Sequence, residues 1–123
     1  MNSLTIVVAQ SDCVIAEHLA ANLHTHFRDV IVARDIDDLL HAVMRRHPDL
    51  VILDLEFADP DEFKKVMREM RSIGVICTHR VPDEDMWRAS LDAGALDCCC
   101  CDYIQTIVRV ARRWPMTLHA TAA

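Results

Sequence analysis

Apolar positions along this chain fall into two alternating kinds of pattern. Five short continuous runs, at residues 4–8, 30–33, 50–55, 75–78 and 96–101, are separated by five longer stretches in which apolar residues recur every three or four positions. Unbroken Val/Ile/Leu character, as opposed to strict alternation, predicts strands covered on both faces. Helical spacing links Ile15, Leu19, Leu23 and Phe27 in the first stretch, and Ile36, Leu39, Leu40, Val43 and Met44 in the second. Phe63, Val66, Met67 and Met70 repeat it in the third, Met86, Trp87, Ser90 and Leu91 in the fourth, and Ile104, Ile107, Val108 and Ala111 in the fifth. Each set predicts one helix with one buried stripe. Asp59-Pro60 reads as an N-cap followed by a first-turn proline, the fourth helix is expected to start near Pro82-Asp83 and stop at Gly94, and Pro115 is expected to close the fifth.

No Gly- or Ser-rich linker interrupts the alternation. Right-handed crossovers then predict an α/β doubly wound, five-stranded parallel sheet of order 2-1-3-4-5. A length of 123 residues is that of one domain, expected to span residues 1–114, with 115–123 as a tail without periodicity.

Composition narrows the function classes. Hydrophobic residues at 52% and charged residues at 26% are those of a folded globular chain. No apolar run approaches the roughly 18 residues of a membrane span, and Met1-Asn2-Ser3 lacks a basic leader. These features predict a cytoplasmic protein with no membrane partner. A formal charge of −6, from 19 acids against 13 bases, argues against direct nucleic-acid binding.

In such a sheet ligands bind outside the carboxyl ends of the strands, where the strand order reverses. That rule selects Ala9, Gln10, Ser11 and Asp12 after the first strand, Asp54, Leu55 and Glu56 after the third, Thr78 and His79 after the fourth, and Cys101 and Asp102 after the fifth. Asp54 follows four apolar residues, and its carboxylate is expected to open into the cleft, because burying the charge is expensive. On spacing alone, an ordinary strand-end aspartate capping the next loop is an equal reading.

Three segments carry a resemblance. Pro48-Asp49-Leu50-Val51-Ile52-Leu53-Asp54-Leu55, Thr78 after the fourth strand, and Ala93-Gly94-Ala95-Leu96-Asp97 leading into the fifth are similar to the corresponding parts of response-regulator receivers. With the five-unit pattern, the chain resembles this CheY-like family over nearly its whole length. The resemblance implies a flavodoxin-like fold, a phospho-acceptor position at Asp54, a switch position at Thr78, and a signalling protein with no enzymatic activity of its own. It also implies a histidine kinase or downstream effector as partner. A further implied contact is self-association through the face of helix four, strand five and helix five, with Trp87, Arg88, Arg109, Arg112 and Arg113 among its residues.

The departures from the family are as specific as the matches. Ala9-Gln10 stand where receivers carry an acidic pair for Mg²⁺, a hard cation that wants carboxylate oxygens. Asp12, two residues on, reads as the N-cap of the first helix, with metal ligation as the alternative. The family's strand-five lysine aligns with Cys101, the following proline with Asp102, and the switching aromatic with Cys98. The expectation is therefore an atypical receiver that signals by contact, takes no cofactor and holds Mg²⁺ at most weakly. Phosphorylation at Asp54 should be weak or absent. One rival is an orthodox phospho-accepting receiver of a two-component system, with Mg²⁺ held by Asp54, the Glu56 carbonyl and water. Another is a flavodoxin-like small-ligand binder, against which stands the lack of any glycine in the loop after the first strand, the two glycines being Gly74 and Gly94.

Six cysteines occur, at Cys13, Cys77, Cys98, Cys99, Cys100 and Cys101. Strand alternation sends at most two of the consecutive four to one side, so a four-ligand metal site is not expected, and the run reads as reduced, apolar filling. Cys101 is expected to face the cleft.

Overall fold

The structure, a computed structural model, describes the backbone of residues 2–122 and the side chains of residues 4–113. Strands β1 (Asn2–Ala9), β2 (Phe27–Ala33), β3 (Leu50–Asp54), β4 (Gly74–His79) and β5 (Asp97–Cys100) alternate with helices α1 (Cys13–His24), α2 (Ile36–Arg46), α3 (Pro60–Glu69), α4 (Glu84–Asp92) and α5 (Ile104–Ala122). A short 3-10 turn, Leu55–Phe57, joins β3 to α3. All strand pairs are parallel and the order is β2-β1-β3-β4-β5, as the alternation predicts.

Each face of the sheet has its own core. Ile6, Val8, Leu50, Ile52 and Ile76 point to one side and pack against Leu19 and Leu23 of α1 and Ile107, Val108 and Ala111 of α5. Val7, Val51, Leu53, Val75 and Cys77 point to the other, toward Leu39 of α2 and Val66, Met67 and Met70 around α3. β3, in the middle, is buried at all five positions, which is why it shows no alternation.

Local chemistry sets the helix ends. The Asp12 carboxylate accepts from the N–H groups of Val14 and Ile15 and so caps α1. Asp59 and Glu62 form a reciprocal capping box around Pro60 at the start of α3, and Asp83 accepts from Met86 N–H at the start of α4. Gly94, at φ +104°, takes the chain out of α4 in a conformation that favours glycine.

Three helical expectations are corrected. Phe27 opens β2 and does not end α1: Thr25 folds its N–H and hydroxyl back onto the Asn22 carbonyl, and the four-residue step from Leu23 serves a strand start as well as a helix. Met44 falls outside the buried stripe of α2 at 76% exposure, on the wall of the open groove between α2 and α3. Trp87, which the spacing leaves open between core and surface, is half-exposed, its indole N–H donating to Asp97 Oδ1 at 3.3 Å. α5 continues past Pro115 to Ala122; a proline removes a single helical donor and does not by itself end a helix. The boundary expected between residues 114 and 115 falls on side chains outside the described residues.

Candidate functional site

Asp54 ends β3, paired in register with Thr78 of β4, which is paired in turn with Cys99 of β5. In-register neighbours share a face, so these three side chains lie on the α1/α5 side of the sheet. Gln10, just beyond β1, and Cys101, in the turn after β5, complete the surroundings.

Asp54 does not open into a cleft. It is 4% exposed, a correction that its partners explain. Oδ2 accepts from the Ser11 N–H at 3.3 Å and from the Ser11 hydroxyl at 2.5 Å, and Oδ1 accepts from the Glu56 N–H at 3.1 Å. Three directed donors replace the water that the carboxylate loses, and this makes its burial tolerable.

The remaining pocket positions supply no charge. Ala9 is buried and belongs to the opposite core. Gln10 is also buried; its Oε1 accepts from Asp12 N–H at 3.4 Å, while its Nε2 finds no partner among the described residues. Thr78 is fully buried, and its hydroxyl is likewise unpartnered. Asp12 is committed to capping α1, as the capping reading expects. Cys98 pairs with Cys77 in the core facing α2 and α3, across the sheet from Thr78.

Burial, followed by the charges of Asp102, Cys100 and Asp54, pushes the Cys101 thiol upward. Burial pushes Cys77 and Cys99 up to about 12, with the Ser90 hydroxyl opposing the effect at Cys77. Each face of the sheet carries its own buried thiols, Cys77 with Cys98 on one and Cys99 on the other. These are inert, protonated groups and not activated nucleophiles.

A cationic group, Arg80, does occur nearby, on a different element from the one expected. Glu56, two residues after Asp54, faces His79 Nε2 at 3.5 Å and Arg80 Nη2 at 3.3 Å. His79 Nδ1 accepts from the Val81 N–H at 3.0 Å, which leaves Nε2 as the nitrogen turned to Glu56. The loop carrying Asp54 is thereby tied to the loop after β4. The sequence reasoning placed Ser11 and His79 in the loops around the site but gave neither a contact, and it did not reach Arg80. The usable signal was their position at strand ends beside Asp54 and Thr78, although nothing in the spacing says that Ser11 turns inward.

Neither a family profile nor a curated protein sequence matches the chain. Solved structures do. The receiver domain of the Francisella response regulator 1452 superposes with a TM-score of 0.79 at 20% identity, covering 94% of this chain and 99% of that one. The fold is that of receiver domains. A response regulator from Thermotoga maritima matches at TM-score 0.79 and 19% identity over 91% of this chain and 97% of its own. The BeF3-activated N-terminal receiver domain of Klebsiella pneumoniae RstA matches at 0.74 and 23% over 89% and 97%. At these identities the shared property is the receiver fold itself. Among the described residues, no helix is long and apolar enough to cross a membrane.

Proposed function

We propose that this receiver-fold chain is a degenerate receiver: a contact module of two-component-type signalling in which Asp54 occupies the acceptor position without efficient Mg²⁺-dependent phosphorylation. The observation that carries the reading is the state of Asp54, which is buried and held by three neutral donors from Ser11 and Glu56. Mg²⁺ asks for several oxygen ligands in octahedral array. Ala9 offers none, Gln10 Oε1 is engaged by Asp12 N–H, and the Asp12 carboxylate is spent on the α1 cap, so the residues present do not fit the ion. A phosphoryl group would bring about two negative charges into a pocket where Cys101 stands in the lysine's place. Each missing charge-assisted contact is worth about 1.5–3 kcal/mol, so the combined loss amounts to orders of magnitude in transfer. Partners on this reading are a kinase or effector protein, together with a second copy through the face of α4, β5 and α5, where Trp87 and Arg109 are exposed.

One observation favours the rival, phospho-accepting reading: Thr78 keeps an unpartnered buried hydroxyl beside Asp54. Intact mass after incubation with acetyl phosphate and Mg²⁺ separates the two. Little or no phosphoryl adduct is expected on the wild type. Rapid, near-complete phosphorylation that Asp54→Ala abolishes would establish the rival. Restoring the charges with Ala9→Asp, Gln10→Asp and Cys101→Lys together is expected to raise adduct formation.

A further inference from the structure

α3 lies between two open grooves, and they differ in charge. The groove toward α4, about 670 Å³, has an apolar floor of Phe63 and Met67 from α3 and Ala89 and Ala93 from α4. Three bases, Lys64, Arg68 and Arg71, stand along its α3 side, and Asp92 alone opposes them. The groove toward α2, about 550 Å³, carries two acids, Glu62 and Glu69, and one base, Lys65. In a chain of formal charge −6, the first groove is thus a local reversal of sign.

The three bases are left without an ion-pair partner in the described fold. Each is exposed, and none makes an ion pair with a described residue; the pairs that do form are those of Glu56 with His79 and Arg80 and of Glu84 with Arg88. Lys64 and Arg68 are one helical turn apart, so their charges line up along the groove wall, with Arg71 continuing the line past the end of α3. The fold itself uses no more of this arrangement than Arg68 at the carboxyl end of α3, where a base suits the helix dipole. A partner with a complementary stripe would gain from both its parts, the apolar floor and the unpaired charge.

We infer that the α3/α4 groove is the docking site for an acidic amphipathic helix of a partner protein. Large apolar residues of that helix, spaced i, i+3, i+4 and i+7, enter the floor between Phe63 and Ala89, and its Asp and Glu residues face Lys64, Arg68 and Arg71. A nucleic-acid backbone is the poorer match, since it has no apolar face to cover Phe63 and Met67 and the chain as a whole repels it. The inference rests on the contact-module reading above, but it is independent of whether Asp54 is phosphorylated.

The test uses the whole chain, unphosphorylated, and a synthetic helical peptide of roughly 18 residues, about five turns. The peptide carries Leu and Phe on one face and Glu beside them. Two controls accompany it, one with Lys in place of Glu and one with the apolar face scrambled. Saturable binding of the Glu peptide alone is expected by fluorescence anisotropy, with amide shift changes confined to α3 and α4. Lys64→Glu with Arg68→Glu is expected to weaken it at least about tenfold, and Ala89→Trp, which fills an exposed part of the floor, to do likewise with unchanged circular dichroism. Equal binding of either control, shifts elsewhere on the fold, or no saturable binding would overturn the proposal. So would concentration-dependent self-association abolished by Arg68→Glu, which assigns the groove to a second copy. Acetyl phosphate labelling of Asp54 reports on the degenerate-receiver reading separately, so the failure of one is not mistaken for the failure of the other.

Discussion

The two faces of the central sheet are covered differently. On one, α1 and α5 lie side by side, joined at their edge by Gln105 Nε2 donating to Asn22 Oδ1 at 3.3 Å, and close over large aliphatic residues and Phe27. On the other, α2, α3 and α4 spread across a comparable width of sheet and leave a groove on each side of α3. The side chains of that second core are also smaller, with Ala9, Ala33, Ala95 and two cysteines among them. Two helices with bulky stripes seal a twisted sheet, whereas three helices with smaller contacts leave gaps between them. The closed face is therefore the stability element and the open face the one able to receive another molecule.

The largest expected effect of breaking this contrast comes from matched core truncations. Leu23→Ala, at a fully buried site on the closed face, is expected to lose about 3–4 kcal/mol in urea unfolding, because close-packed neighbours cannot collapse onto the cavity. Met67→Ala, beside the groove, is expected to lose about 2 kcal/mol, since the space it vacates adjoins an existing opening. Equal losses would mean that the open face is as tightly packed as the closed one.

The next effect concerns the thiols, of which each face buries one with a strongly raised pKa. Cys77 and Cys99 go from 9.0 to about 12 on folding, so between those values the unfolded chain holds fewer protons than the native one. The protonated thiol's contribution is complete below about pH 9 and is lost as pH rises toward 12, which makes stability fall with pH across that window. Urea midpoints measured from pH 8 to 11 are expected to decline more steeply for the wild type than for Cys77→Ala. Parallel slopes would show that this thiol does not govern the alkaline limb.

The smallest effect is the sharpest test of the groove's idleness in the free protein. Arg68→Glu is expected to change stability by no more than about 1 kcal/mol, because the exposed guanidinium pairs with no described residue and contributes only through the carboxyl end of α3. A larger loss would make the basic rim structural and remove it from the account of partner recognition.

Much of the fold was legible before any coordinate. Continuous apolar runs at 50–55 and 75–78 mark central strands since both their faces are covered, and Asp12, Asp59 and Asp83 announce helix starts through chemistry that acts within three residues. The placing of Asp54, Thr78, Ala9 and Gln10 around one end of the sheet was equally local, each following the end of a predicted strand or lying at one. Phe27 and Met44 were misassigned where spacing alone had to separate helix from strand or inside from outside, and the same spacing left Trp87 open between core and surface.

The sequence by itself determined the order and kind of the elements, because periodicity and caps are short-range properties of the backbone. Only the tertiary structure decided that Asp54 is buried under Ser11, that Glu56 reaches His79 and Arg80 across two loops, and that α3 stands between grooves of opposite charge. Those facts join residues from 18 to 43 positions apart, and their distances depend on strand register and on how helices settle over a twisted sheet, which no local pattern records.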